Sequence, residues 1–417
     1  MPVGLSSTSE LTSVAETAFA WTKPERIAVA VSGGSDSIAA LHLMARAAMS
    51  RGWVVHAVTV DHQLRPEAAD EALFVAGVCA DLGVSHHTLI WDHGDITGNL
   101  MDMARRARYR LIGEWARALE IEYVVLGHTA NDQAETFLME LARAAGLDGL
   151  SGMRAGWREA GVFFTRPFLN TSREALRSFL HSEGCAWIED PTNDDDSFTR
   201  VKARRALVAL QPLGITVETL SRVADNLNMA RSVVQATVME AAARLVEEQA
   251  GGLSLELSEF KGLQMEVQRQ LLIACLGWVS RASYAPRGKA LDRVQWGIML
   301  GNDATLSGCR ILVTETELHV LREPKAVAPV VCPPDQLWDN RWQLDGPSEP
   351  GLEVRALGAA GLRDCKDWRG TGISRDALVV SPAIWRADTL VAAPLAGFAN
   401  GWTARIDAGF SSFILSH

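Results

Sequence analysis

The stretch IAVAVSGGSDS, residues 27–37, decides the fold of the N-terminal half of the chain. Its first five residues are apolar and rich in β-branched side chains, which is typical of a strand buried on both faces. The polar turn SGGSDS follows, and residues 38–48 then carry apolar side chains at helical spacing. A strand, a glycine turn and a helix in this order bring backbone N–H groups and the positive end of a helix dipole to one point. The stretch therefore predicts an anion-binding loop.

This loop differs from two common nucleotide-binding motifs and resembles a third. No Gly-Lys-Ser/Thr closes it, as in a Walker A loop, and the third glycine of a dinucleotide fingerprint is absent. The order S-G-G-x-D-S resembles the PP-loop of the N-type ATP pyrophosphatases, which cleave ATP between the α and β phosphates. A capped turn without a ligand is the plainer alternative. The resemblance implies an ATP-binding loop made of Ser32, Gly33, Gly34, Ser35, Asp36 and Ser37.

Asp36 adds a metal ion to this prediction. A carboxylate beside phosphates is repulsive unless a cation bridges them. We therefore expect Mg²⁺ at Asp36, together with ATP.

The composition limits the class of protein. The chain has 417 residues, of which 48% are hydrophobic and 22% charged, and no apolar run approaches the ~18 residues of a membrane span. The N-terminus has neither the basic start nor the apolar core of a secretory signal. Six scattered cysteines without a C-x-x-C pair argue against zinc, an iron–sulfur cluster or disulfides. These features predict a soluble cytoplasmic protein that does not bind a membrane.

The pattern downstream of the loop predicts an α/β fold. Strands are expected at 53–60, 85–91 and 122–126, with helices at 66–82, at 99–119 and from about 131 to 145. Such alternation predicts a doubly wound parallel sheet, a PP-loop, Rossmann-like architecture. Polar clusters at 32–37, 61–65 and 127–136 follow strand ends, where ligands bind in sheets of this kind. We expect the three clusters to form one site.

The rest of the chain predicts two further domains. Residues 1–212 form the catalytic domain, residues 213–326 a mainly helical middle domain, and residues 335–417 a small α+β domain after a proline-rich linker. The last domain contains five tryptophans, which are expected to be mostly core residues rather than platforms for base stacking. We expect it to bind nucleic acid.

Several motifs resemble those of the bacterial tRNA(Ile)-lysidine synthetases, in the same order. They are SGGSDS at 32–37, DHQLR at 61–65, ARRARY at 104–109, GHTANDQAET at 127–136, GLDGLSGM at 146–153, RPFL at 166–169 and WIEDPTND from Trp187. The resemblance is strong over residues 25–205 and weak beyond. Two departures stand out, because Ala144 replaces a usual glycine and Val201 a usual asparagine.

The resemblance implies an ATP-dependent ligase with two substrates besides ATP. They are free L-lysine and an isoleucine tRNA with a CAU anticodon. The reaction adenylates the 2-carbonyl oxygen of the wobble cytidine and releases pyrophosphate. The lysine ε-amine then attacks that carbon and expels AMP, which gives lysidine. Related enzymes also make a homodimer the expected assembly.

Lysine needs a site that binds a cation and then removes a proton, because its pKa in water is ~10.4. Asp132 and Glu135 are three residues apart and share a helix face, so they are expected to bind the ammonium group. Acids at a helix N-terminus can also be purely structural. The predicted catalytic set is Asp36, Arg105, His128, Asp132 and Glu135.

The arginines are assigned to phosphates and tRNA. Arg105 and Arg108 are the expected phosphate partners, and Arg65 is a weaker candidate. Ordinary surface charge is the alternative for these arginines. A net charge of −10 is not typical of a non-specific nucleic-acid binder, so tRNA binding must depend on local basic patches. The expected tRNA contacts are Arg200, Arg204, Lys366 and Arg369.

Two other functions are compatible with the loop. A tRNA 2-thiocytidine synthetase or an amidating ligase would keep the ATP chemistry and change the acceptor. Sulfur insertion needs cysteines near the site, and only Cys79 and Cys185 lie in the first domain. A non-catalytic tRNA-binding protein with an ATP-sensing domain is the other alternative, and the carboxylates Asp36, Asp132 and Glu135 argue against it.

Overall fold

The computed structural model describes residues 7–94, 99–189, 199–282, 284–347 and 349–416. It divides into two compact units, residues 1–231 and 232–417. The division into three domains stays a prediction. The WIEDPTND motif lies outside the described residues from residue 190 onward.

The first unit contains the predicted alternation of strands and helices. Its elements are α1 (Thr8–Thr17), β1 (Arg26–Ala30), α2 (Ser35–Arg51), β2 (Val54–Asp61), α3 (Ala68–Asp81), β3 (Ser85–Ile90), α4 (Leu100–Ala118), β4 (Tyr123–Leu126), α5 (Ala130–Ala142), α6 (Leu147–Leu150), β5 (Gly156–Glu159), β6 (Val162–Thr165), α7 (Arg173–Ser182) and α8 (Thr199–Leu210). Helix α9 (Val217–Leu245) contains the division between the units.

The six strands form one sheet in the order β3-β2-β1-β4-β6-β5. All neighbouring pairs are parallel except the edge pair β5–β6. The predicted doubly wound α/β fold is confirmed. Connections leave β1 and β4 toward opposite sides, and this switch point opens a crevice at the carboxyl ends of the strands.

Strand β1 is buried on both faces, as its composition predicts. Ile27 and Val29 pack into the core that contains α2 and α7, whereas Ala28 packs into the core that contains α4. Burial on both faces fixes the position of the loop that follows β1.

Helix α5 ends earlier than expected, at Ala142 rather than near residue 145. Ala144 then adopts a left-handed conformation with φ of +54°. A helix cannot continue through such a residue. This is the position where the resembling family has glycine, which adopts this conformation without strain.

The second unit mixes helices with three antiparallel sheets. Its elements are β7 (Val246–Gln249), β8 (Gly252–Glu256), α10 (Leu257–Gly262), α11 (Met265–Ser280), α12 (Gly288–Met299), β9 (Ala304–Leu306), β10 (Cys309–Val313), β11 (Glu317–Arg322), α13 (Pro324–Val327), β12 (Trp342–Asp345), β13 (Glu353–Ala356), α14 (Gly358–Asp364), α15 (Arg375–Val379), β14 (Pro382–Arg386), β15 (Thr389–Ala392), β16 (Thr403–Ile406) and α16 (Phe410–Ser416). The strand orders of the sheets are β7-β8-β11-β10-β9, β12-β16 and β13-β14-β15. Four of the five tryptophans are buried, which confirms their predicted place in the core: Trp338, Trp342, Trp385 and Trp402.

Candidate active site

A cavity of about 960 Å³ opens at the switch point between β1 and β4. Residues from all three predicted clusters line it, among them Asp36, His62 and His128. The structure therefore brings the clusters together. This arrangement follows from the parallel sheet, which places the carboxyl ends of its strands at one edge.

The loop at 32–37 is built for close approach to an anion. Gly33 has φ of +88°, and a Cβ on it would lie 2.9 Å from Cδ1 of Ile188. Ser37 Oγ accepts a hydrogen bond from the Ser32 amide and donates one to the Gly34 carbonyl. Helix α2 begins at Ser35 without a side-chain cap, and the Ser37 amide donates to the Gly34 carbonyl, which leaves the amides of Ser35 and Asp36 for a ligand. These groups and the helix dipole make the end of the cavity attractive to phosphate.

Asp36 points at Arg173 of helix α7. Arg173 Nε donates to Asp36 Oδ2 at 2.8 Å, and Ser35 Oγ donates to Asp36 Oδ1 at 3.2 Å. Burial raises the pKa of Asp36 above its ordinary value, and the contact with Arg173 offsets only part of this rise. A further cation near Asp36 would favour its ionised form.

Asp132 stands at the first turn of α5, where it performs two tasks. Its Oδ2 accepts hydrogen bonds from the Thr129 amide at 2.8 Å and from the Thr129 hydroxyl at 2.9 Å, in a capping box. Its Oδ1 lies 3.4 Å from Arg173 Nη2. Burial acts to raise the pKa of Asp132, but Arg173 and Arg200 hold it below its usual value. Asp132 is therefore an anion.

Glu135 lies one turn further along the same face, and its side chain is 1% exposed. Arg204 Nε donates to its Oε1 at 2.7 Å, and Arg173 Nη1 lies 3.5 Å from the same oxygen. The other oxygen, Oε2, has no hydrogen-bond partner within the described part of the chain, and Arg200 Nε stands 4.0 Å away. An unsatisfied buried carboxylate oxygen is costly and calls for a donor.

His128 is held as a neutral ring. Burial and the neighbouring Arg166 lower its pKa to about 3. Arg166 Nε donates to His128 Nδ1 at 3.2 Å, which leaves the ring proton on Nε2. In this state His128 is a hydrogen-bond donor toward the cavity rather than a proton acceptor.

The predicted arginines separate into three groups. Arg108 lines the cavity, and its buried Nε has no partner among the described residues. Arg65 also lines the cavity but pairs with both oxygens of Glu71, at 3.0 and 3.1 Å. Arg105 is exposed and lies against the Tyr109 ring, outside the residues that line the cavity.

The arginines assigned to tRNA also lie in different places. Arg200 and Arg204 stand beside Asp132 and Glu135 in the first unit. Lys366 and Arg369 are exposed in the second unit, where Arg369 lies 4.5 Å from the centre of the Trp368 ring.

Three arginines of the site were not predicted from the sequence: Arg166, Arg173 and Arg177. Arg173 is the first residue of α7, directly after the N-cap Ser172. A cation at a helix N-terminus opposes the helix dipole and signals an anionic partner. The position of Arg173 at the start of α7 is therefore the feature of the sequence that could have predicted its contact with the carboxylates. Arg177, one turn later, donates to Ser35 Oγ at 3.2 Å.

The described residues contain no group of three or more His, Cys, Asp or Glu side chains arranged to hold a metal ion. Mg²⁺ commonly takes one or two protein carboxylates and fills its other positions with phosphate and water. Asp36 at the phosphate end of the cavity fits such a site. Neither Cys79, which is fully buried, nor Cys185 lines the cavity, so the described site offers no thiol for sulfur transfer.

Comparisons with known proteins agree with this geometry. A family model described as a PP-loop domain matches residues 6–211. The tRNA(Ile)-lysidine synthase of Ruegeria pomeroyi is 45% identical over 96% of this chain and 96% of its own length. The protein of the same name from Hyphomonas neptunium is 37% identical over 72% of this chain and 81% of its own length. A third, from Mesorhizobium japonicum, is 35% identical over 86% and 82%. No helix among the described residues has the length and apolar character needed to cross a membrane.

Proposed function

The chain belongs to the tRNA(Ile)-lysidine synthase family, and we propose how its cavity divides the work of that reaction among the residues. The protein is a ligase that uses ATP to form lysidine on tRNA(Ile). One observation carries the assignment of residues. The predicted ATP loop and Asp132 line one cavity, and Arg173 joins both to the buried carboxylate of Glu135.

The loop at 32–37 is the proposed site for the phosphates of ATP. Its first amide groups and the α2 dipole offer hydrogen-bond donors and positive charge. Arg108 is the proposed guanidinium partner, because its buried Nε lacks one in the described chain. Arg65 is already neutralised by Glu71 and is the weaker candidate.

Asp36 is the proposed protein ligand of Mg²⁺. Its carboxylate lies at the loop, and its side chain is 17% exposed, which leaves it accessible from the cavity. Bound there with ATP, the ion would offset the negative charge that develops on the pyrophosphate leaving group.

Asp132 and Glu135 are the proposed lysine site. The unpartnered Oε2 of Glu135 is suited to accept a hydrogen bond from an ammonium group. Glu135 or Asp132, rather than neutral His128, is then the proposed base for the ε-amine. We propose that His128 donates from Nε2 to a substrate oxygen.

A two-stage assay tests this division. Exchange of labelled pyrophosphate into ATP, measured with and without the tRNA, reports the first half-reaction, and labelled lysine reports the second. We expect Asp36→Ala to lose exchange by at least about 100-fold while the protein remains folded, since no core group is removed. Exchange at the wild-type rate would show that Asp36 holds no metal.

The expected assembly and location are further proposals. A homodimer is the assembly to test by analytical ultracentrifugation of the full chain. The cytoplasm is the location at which both tRNA and free lysine are available, and cell fractionation would test it.

A further inference from the structure

Arg173 contacts the three carboxylates to which the reaction is assigned, those of Asp36, Asp132 and Glu135. We infer that Arg173 is a counter-cation that holds Asp36, Asp132 and Glu135 together before the substrates bind and then gives up Asp36 to the metal–nucleotide complex. This inference rests on the proposed metal role of Asp36.

The geometry of Arg173 is the first support. Its Nε, Nη2 and Nη1 lie 2.8, 3.4 and 3.5 Å from oxygens of Asp36, Asp132 and Glu135. Its backbone amide is anchored separately, by a hydrogen bond to Asn131 Oδ1 at 2.9 Å. The side chain can therefore change partners without moving the start of α7.

The second support comes from the partners of the neighbouring arginines. Arg200 and Arg204 pair with Asp132 or Glu135. Among the described cations, only Arg173 forms an ion pair with Asp36. Without it, Asp36 would stand near the like charge of Asp132 in a partly desolvated space, with no described cation paired to it.

The third support is competition for the same oxygen. Mg²⁺ binds carboxylate oxygens at about 2.1 Å, and the guanidinium of Arg173 already stands at Asp36 Oδ2. Two cations cannot share that position without strong repulsion. After exchange, Arg173 keeps Asp132 and Glu135 as partners and faces the incoming phosphates.

Binding of Mn²⁺ to the nucleotide-free full chain, followed by electron paramagnetic resonance, tests the inference. We expect R173Q to bind Mn²⁺ at least about tenfold more tightly than the wild type, because the competing charge is gone. R173K should stay close to the wild type. R46Q is the control, since Arg46 of α2 lies outside the cavity lining and pairs with Glu183 instead, and it should bind Mn²⁺ as the wild type does.

Equal Mn²⁺ affinity in R173Q and the wild type, or in R173Q and R173K, would overturn the inference. The gain in R173Q must also disappear in the double variant D36N/R173Q, since a gain that persists places the ion elsewhere. D36N with ATP present separates the two proposals. If D36N loses nucleotide-linked Mn²⁺ while R173Q gains none, only the counter-cation role is wrong. If D36N binds it normally, the metal role of Asp36 is wrong.

A measurement on the wild-type protein covers the case in which R173Q does not fold. The Nε–H resonance of Arg173, assigned by its absence in R173K, should shift when Mg²⁺ and a non-hydrolysable ATP analogue bind. An unchanged resonance with the analogue bound would contradict the exchange of partners.

Discussion

Gly127, the first residue after β4, lies directly against the main chain of Asp36. A Cβ built on Gly127 would stand 2.8 Å from the Asp36 carbonyl oxygen and 2.9 Å from Ser37 Cα. The neighbouring atoms are backbone and cannot rotate away. The close contact explains why the polar motif after β4 begins with glycine, and it fixes the distance between the two halves of the cavity.

Gly127→Ala should therefore disturb the ATP loop. We expect the free energy of unfolding to fall by about 1–3 kcal/mol, as for other overpacked sites, and ATP affinity to fall with it. Chemical denaturation and ATP titration measure the two effects. Gly77→Ala in α3 is the control, because its Cβ would meet nothing within 4 Å. Unchanged stability and ATP affinity in Gly127→Ala would show that this contact does not hold the loop.

Glu135→Gln should separate the two half-reactions. The change keeps the shape of the side chain and removes the charge proposed to hold the lysine ammonium. We expect pyrophosphate exchange to stay within about tenfold of the wild type, a barrier change near 1.4 kcal/mol. Lysine incorporation should fall much further, because a charge-assisted contact and a base are both lost.

Asp132→Asn is the companion variant, and the structure predicts an additional cost. Asp132 Oδ2 caps α5 through Thr129, so its replacement should also lower the free energy of unfolding by about 1 kcal/mol.

Loss of exchange and of lysine incorporation to the same extent in Glu135→Gln would place Glu135 in the ATP–metal site.

His128 should contribute to the pH dependence of stability. Burial, with Arg166 second, lowers its pKa to about 3 in the folded protein, against about 6.5 when unfolded. Below pH 6.5, His128 takes up a proton in the unfolded chain but not in the folded protein. The contribution of His128 to the free energy of unfolding is therefore fully present above pH 6.5 and is lost as the pH falls. His128→Gln should reduce the slope of unfolding free energy between pH 6.5 and 5 by up to about 1.4 kcal/mol per pH unit. An unchanged slope would show that His128 titrates normally.

Ala144→Gly should stabilise the protein, although glycine usually destabilises. Ala144 has φ of +54°, where an alanine costs roughly 1–2 kcal/mol and glycine does not. Glycine loses more conformational entropy on folding than alanine, which offsets part of this effect. We expect the free energy of unfolding to rise by up to about 1 kcal/mol. Chemical denaturation measures this change. In the same experiment Ala142→Gly, in the last turn of α5, should lower the free energy of unfolding by about 0.5–1 kcal/mol. Equal losses in both variants would contradict the strain at Ala144.

Lys366 and Arg369 should weaken tRNA binding when their charges are reversed together. Both are exposed in the second unit, so the double variant K366E/R369E should remain folded. Phosphate contacts predict weaker tRNA binding and a shallower dependence of affinity on salt, with ATP affinity unchanged. Filter binding over a range of salt concentrations measures this. An unchanged salt dependence would show that Lys366 and Arg369 do not contact the tRNA phosphates.

The sequence alone determined the sheet and the location of its binding edge. The buried strand at 27–31 and the glycine turn after it are local patterns, because strand burial and turn geometry depend on neighbouring residues. The pairing of Asp132 with Glu135 on one face follows in the same way from helix geometry.

Only the tertiary structure decided which cations face these carboxylates. Arg173 lies 137 residues from Asp36 and 38 from Glu135, and no local period connects them. Arg105, chosen from the sequence, is not among the residues that line the cavity, whereas Arg108, one turn later on the same helix, lines it. Charge pairing in a folded protein depends on distances set by packing, and the sequence states only which charges exist.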